Sequence, residues 1–214
     1  MSKITAELGV LPRKKSILIP GCGSKDELQK HLAGNAPRIE KIVCCDFEKI
    51  VEIPHAKNRN EKISYEKNST HLGYEGEFDI VLVINSLISE SDEENRDIVR
   101  SCSAALAPDG TFIAIVPTIG VAVEISTLDK TKKKWAELID MEKFSLYEPN
   151  QKLWQIFYPP MMLRWILKES GLRTVKMEIV FFDLPEMLEK SKQHYGIEEE
   201  DAVIYELLVV AEKI

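Results

Sequence analysis

The chain lacks several features that would settle its class at once. It has no apolar run of about 20 residues, so no transmembrane helix is expected, and no charged-then-apolar leader opens it. It has no basic excess: 28 Lys and Arg stand against 35 Asp and Glu, a net charge of −7. Proteins that grip nucleic acid through its phosphates need a basic stripe, so a nucleic-acid partner is not expected. A small or cationic substrate remains compatible with that charge. Cysteine is scarce, and Cys22, Cys44, Cys45 and Cys102 show no metal-ligand spacing, so no metal is expected. The adjacent Cys44 and Cys45 read as reduced core residues, which points to the cytoplasm. There is no internal repeat, no low-complexity tract and no recognisable catalytic triad.

What is present is a globular composition. Hydrophobic residues make up 44% and charged residues 29% of 214, which suits one α/β domain over 1–214 with a large core. Residues 1–14 form a short lead-in. Strands are predicted at Ser16–Pro20, Lys41–Asp46, Ile63–Glu66 and Phe78–Ser86. The last is nearly continuous apolar sequence, as in strands buried on both faces of a parallel sheet. A helix over roughly Lys25–Ala33 stops at Gly34, and one starting at Phe47 is interrupted by Pro54. Ser91 and Glu94 form a capping box for a third helix, ended by Pro108 and Gly110 before a strand at Thr111–Pro117. Aromatic residues without a period fill 118–158, and Pro159–Gly171 reads as a helix with proline in its first turn. The TVKMEIVFF run, a helical excursion and a final strand over Ala202–Ala211 complete the chain, the two closing strands pairing as an antiparallel hairpin. Strands alternating with helices imply parallel βαβ units.

The stretch SILIPGCGSKDELQKHL, followed by KIVCCD ending at Asp46, carries the chemistry. A strand breaks into a glycine turn, the turn opens a helix, and the next strand ends in a carboxylate. Gly21 and Gly23 permit a sharp turn and close approach of a ligand. Asp46 can accept hydrogen bonds from two ribose hydroxyls. A dinucleotide turn reads GxGxxG, but its third glycine would fall at Asp26, whose charge would repel a pyrophosphate. S-adenosylmethionine is favoured. Ser24 with Glu27 would cap the following helix.

The PGCGSKD run resembles the first motif of class I S-adenosylmethionine-dependent methyltransferases. FDIVLVINS is similar to that family's fourth motif, and LAPDGTFIAIVP to its turn into the fifth strand, with Asp109 replacing a glycine. The resemblance spans about residues 16–213. It implies a Rossmann-like three-layer α/β sandwich around a mostly parallel seven-stranded sheet, order 3-2-1-4-5-7-6 with the last strand antiparallel. A helical cap over 118–165 would follow strand 5. Pro20, Gly21, Cys22 and Gly23 should then line the methionine and ribose part of the cofactor, Asp46 the ribose hydroxyls, and Phe47 the adenine. Asn68 would accept from the adenine amine and Ser69 donate to the ring, while Asn85 and Ser86 lie beside the reactive methyl. Two departures stand out: the usual acid two places before the first glycine is Ile19, and the third glycine position is Lys25.

Methyl transfer needs water excluded and a nucleophile aligned, and a base only for a protonated or weakly nucleophilic acceptor. His71 is the best-placed histidine, against the blander reading of a solvated loop residue. Trp135, Tyr147, Trp154, Tyr158 and Met161 are the expected walls of an acceptor pocket. The fourth strand ends INSL rather than NPPY, which argues against DNA and glutamine methylation. The leading expectation is a small-molecule methyltransferase, in secondary metabolism. A protein or peptide methyltransferase acting on a lysine, an amino terminus or a carboxylate is the second. A non-catalytic cofactor-binding regulatory subunit is the third. No membrane partner is expected, and a homodimer is the one protein assembly weighed.

Overall fold

The computed structural model describes residues 15–35, 38–57, 60–67, 72–128, 135–149, 151–181, 189 and 204–214. Their apolar runs build strands β1 (Ser16–Pro20), β2 (Lys41–Asp46), β3 (Ile63–Lys67), β4 (Phe78–Ile84) and β5 (Leu106–Val116). Helices α1 (Glu27–Asn35), α2 (Glu48–Lys57) and α3 (Asp92–Ala105) connect them. Two later strands, β9 (Leu172–Phe181) and β10 (Tyr205–Lys213), complete a seven-stranded sheet in the order β3-β2-β1-β4-β5-β10-β9. Strands β1 to β5 pair in parallel, and β10 runs antiparallel to both β5 and β9. With β10 as the seventh strand of the family's numbering, this is the expected order.

The chain winds outward through β1, β2 and β3, then returns to place β4 on the other side of β1. Strand order therefore reverses between β1 and β4, and in such sheets a crevice opens there at the carboxyl ends. The Asp79 carboxylate fixes the opposite end of this junction. It accepts from the backbone N–H groups of Lys15 (2.8 Å) and Ser16 (3.0 Å) and from Ser16 Oγ (3.0 Å).

Both faces of the sheet are covered. On one, Leu32 and Ala33 of α1 pack on Ile17, Ile19, Ile42, Ile80 and Ile113. On the other, Val99 and Cys102 of α3, with Leu163, Ile166 and Leu167 of α5 (Pro160–Glu169), pack on Leu18, Val81, Val83, Phe112 and Val209. Each large side chain buried in this way contributes about 1.5–3 kcal/mol. Helix α3 starts as expected, with Ser91 Oγ accepting the Glu94 N–H at 3.2 Å. Glu94 does not close the box; its carboxylate meets Ser89 Oγ instead.

Several local expectations need correction. Helix α1 begins later than the Ser24 cap implies, because the Lys30 N–H donates to Asp26 C=O (3.0 Å), and it runs through Gly34 to Asn35. Helix α2 continues past Pro54 to Lys57; a proline deletes one helical hydrogen bond but does not by itself forbid the next turn. The LAPDG segment is an irregularity inside β5. Pairing jumps from Phe78↔Leu106 to Ile80↔Thr111, so the residues between bulge out. In β9 the alternation of Val175, Met177, Ile179 and Phe181 with Lys176 and Glu178 reads as a half-exposed strand, but Val175, Ile179 and Phe181 are exposed and Val180 is buried. The expected excursion after β9 lies, apart from Glu189, outside the described residues.

The cap is not purely helical. It comprises α4 (Ile119–Leu128), a 3-10 turn at Ala136–Leu138, and a second, antiparallel sheet of β6 (Ile139–Asp140), β7 (Ser145–Glu148) and β8 (Leu153–Ile156). It has its own apolar centre of Ile119, Ala122, Ile125, Trp135 and Leu146. The small sheet is tied to the loop after β4, where the Trp154 N–H donates to Glu90 Oε1 (2.6 Å) and the Ile156 N–H to Ser89 C=O (3.3 Å). Replacing Glu90 with Ala should cost about 0.5–1.5 kcal/mol locally. The amide of residue 154 should then exchange with deuterium faster, while amides in β4 and β5 keep wild-type rates.

Candidate functional site

The site begins where β1 ends. Gly21 and Gly23 hold φ values of 65° and 72°, a left-handed conformation that disfavours any side chain. The N–H groups of Gly21 (2.8 Å) and Cys22 (3.2 Å) both donate to Cys45 C=O. The next strand's carboxylate completes the turn: Asp46 Oδ2 accepts the Gly23 N–H and Oδ1 the Phe47 N–H, each at 2.8 Å. From the other side Ser86 Oγ donates to Pro20 C=O at 3.1 Å. The ends of β1 and β4 meet so closely that a Cβ on Gly21 would lie 2.3 Å from Ser86 Cβ.

A cleft of about 630 Å³ opens above this junction. Pro20, Gly21, Asp46, Phe47, Asn85 and Ser86 all stand in its wall, so the structure brings six of the sequence-predicted cofactor residues together. Phe47 is 65% exposed, an unusual state for an aromatic ring beside a carboxylate. Cys22 and Gly23 shape the turn without lining the cleft. Asn68, Ser69 and His71 lie outside the described residues. Ile19, which stands where an acid was expected, is a buried core residue. Asp26 is held in an ion pair with Lys30 at 2.7 Å.

A second cavity of about 240 Å³ adjoins the first under the cap. Asn85, Ile88, Gln151 and Gln155 belong to both walls. Trp135 lines this cavity, together with Val121 and Ile125 of α4 and Phe157. The other expected pocket aromatics stand elsewhere. Tyr147 and Trp154 pack on each other with ring centroids 5.5 Å apart, and neither lines either cavity. Tyr158 is 3% exposed in the main core, its hydroxyl donating to Asp92 Oδ1 at 2.7 Å. Met161 is 85% exposed on α5 and also lines neither cavity. For Trp154 the reason is the two-residue period of β8, which turns Leu153 and Gln155 toward the cavities and Trp154 away.

Sequence reasoning missed Gln155 and Glu206. Glu206 was visible as a lone acid entering the apolar run YELLVV. It lines the second cavity, and its Oε1 accepts from Asn85 Nδ2 at 2.9 Å. Burial pushes its carboxyl up to about 7, against the opposing pull of that hydrogen bond. The acids after β4 have structural partners. Burial works against the Asp92 carboxylate, but hydrogen bonds from Arg96 and Tyr158 outweigh it and hold it below its usual range. Burial pushes the Cys45 thiol up to about 12 and Cys102 higher, so these cysteines are protonated core groups. Among the described residues no group of acids, histidines and cysteines could hold a metal, and no helix is long and apolar enough to cross a membrane.

Two outcomes follow from this geometry. Gly21→Ala forces a Cβ onto Ser86 and a side chain into the left-handed region, which should cost about 1–3 kcal/mol and lower the thermal midpoint. Glu206 titrates higher in the folded chain than its ordinary value of 4.5. Its contribution to stability is thus present below about pH 4.5 and lost as pH rises through about 7. Glu206→Gln should accordingly gain on wild type, by about 2–3 kcal/mol between pH 5 and pH 8, in parallel denaturant titrations.

Comparison with known proteins agrees with the architecture. No family model matches the chain, and no curated protein does either. Solved structures do match. An S-adenosylmethionine-dependent methyltransferase from Methanosarcina mazei shares 13% identity at a TM-score of 0.68, over 94% of this chain and 93% of its own. One from Mesorhizobium loti shares 16% at 0.62, over 97% and 96%. The 1,6-didemethyltoxoflavin-N1-methyltransferase of Burkholderia thailandensis, solved with 1,6-didemethyltoxoflavin and S-adenosylhomocysteine, shares 18% at 0.63, over 98% and 76%. With the strand order, the glycine turn and the carboxylate of β2 in register, the chain has the fold of the class I S-adenosylmethionine-dependent methyltransferases.

Proposed function

We propose that the chain is an S-adenosylmethionine-dependent methyltransferase acting on a small-molecule acceptor. The observation that carries this reading is the cleft at the reversal of strand order, with Gly21, Asp46 and Phe47 in one wall and a smaller cavity opening from its far side. The residues fit the cofactor. Each Asp46 oxygen accepts one backbone N–H and keeps acceptor capacity for a ribose hydroxyl. Phe47 offers an exposed ring for adenine to stack on. The bare backbone at Gly21 lets the methionine portion approach; Ser86 stands in the same wall, and Asn85 belongs to the walls of both cavities.

When bound, the sulfonium supplies an electrophilic methyl group. The chain's own part is to orient and to exclude water. Ile88, shared by both cavities, and Phe157 and Val121 beyond it form apolar walls against solvent. The second cavity lies below the usual range for drug-sized ligands, about 300–1,000 Å³, so it suits a small acceptor. A polypeptide substrate would instead need an extended groove.

Calorimetry with S-adenosylhomocysteine should show one site per chain, with no comparable binding of NAD. Phe47→Ala should weaken that binding about tenfold, the loss of one stacked aromatic face. The exposed ring supports no core, so the variant's thermal midpoint should stay at the wild-type value. Unchanged affinity would place the adenine elsewhere.

A further inference from the structure

The second cavity contains a polar atom that the methyltransferase reading does not use. Glu206 is anchored through Oε1 to Asn85, but its Oε2 is shielded from solvent and has no hydrogen-bond partner. A carboxylate oxygen in that state is costly unless something donates to it. Neutral donors stand in the same wall, but none of them reaches Oε2, and among the described residues the wall holds no positive charge. The end of β5 presents Pro117 and Thr118, and β8 presents Gln155. On β9, Val180 pairs opposite Glu206. Tyr205, the neighbouring titratable group, donates its hydroxyl to Glu124 of α4 at 2.8 Å. No Lys, Arg or His stands in the cavity wall among the described residues.

We propose that Glu206 is the acceptor's base: its free Oε2 receives the N–H or O–H of a small, uncharged, largely apolar acceptor lodged under the cap. The proposal rests on the methyltransferase reading and names the substrate class for it. The hydrogen bond first orients the acceptor. The acceptor's N–H or O–H bond then breaks, its electron pair stays on the nucleophilic atom, and the proton passes to Oε2 and on to solvent. A base that titrates near 7 is suited to this task at neutral pH. An anionic acceptor is disfavoured, because it would meet the partly buried Glu206 carboxylate with no cation among the described lining residues to offset either charge.

Calorimetry on the full chain saturated with S-adenosylhomocysteine tests this, using phenol, anisole and benzoate as probes. Phenol should bind, anisole (the same ring without a donor) at least about tenfold more weakly, and benzoate not at all. Phenol stays neutral across pH 6–8, so its affinity should rise about tenfold over that range as Glu206 ionises. In Glu206→Gln the affinity should be lower and flat with pH, with S-adenosylhomocysteine binding unchanged. Equal binding of phenol and anisole, absence of phenol binding, or the same pH profile in the variant overturns the role of Glu206 and leaves the cofactor reading standing. Failure of S-adenosylhomocysteine to bind wild type overturns that reading and this proposal with it.

Discussion

The site depends on one carboxylate. Asp46 holds the Gly23 N–H with one oxygen and the Phe47 N–H with the other, and so joins the turn after β1 to the end of β2. Charge-assisted hydrogen bonds of this kind are among the stronger ones a surface loop can make. They set the left-handed turn at Gly23, aim the Phe47 backbone, and leave the ring projecting into the cleft. Ser86 closes the same junction from β4. The cleft is therefore built by backbone placement, and few side chains are committed before a ligand arrives.

Much of this frame was legible in the chain. Phe78–Ile84 is apolar almost throughout because it is covered on both faces, and a run with that property has few other places to go. The spacing from Gly21 to Asp46 carried the wall of the larger cleft, because the turn and the carboxylate are local consequences of strand ends. The second cavity was less legible. Aromatic content drew attention to Trp154 and Tyr158, but which face a short strand shows depends on its register against partners far away in sequence. Tyr158 is claimed by the main core and by Asp92. Glu206 shows the same limit: an acid in an apolar strand signals a special place, but only the pairing of β10 with β5 says which place.

The cap differs in kind from the main sheet. Its elements are short, and its apolar centre is separate from the two large cores. It is joined to the body by the bonds to Ser89 and Glu90. Glu90 also stands in the wall of the larger cleft, so the residue that anchors the cap borders that cleft as well. The polar groups around the second cavity are amides, hydroxyls and one carboxylate, in keeping with the acidic balance of the chain as a whole.

The position of β10 bears on how the molecule is made. It lies between β5 and β9, and its register joins Leu207 to Val116 across more than 90 positions of sequence. Contacts of such long range form late in folding, because the loop they close must first lose its freedom. A chain emerging from the ribosome can assemble β1 to β5, and with them the wall of the cleft formed by Gly21, Asp46 and Ser86, well before residues 205–213 exist outside the tunnel. Glu206 arrives with that strand. The half of the site that would grip the acceptor is thus finished by the same event that seals the sheet, and a nascent chain passes through a stage with a formed glycine turn and no second cavity.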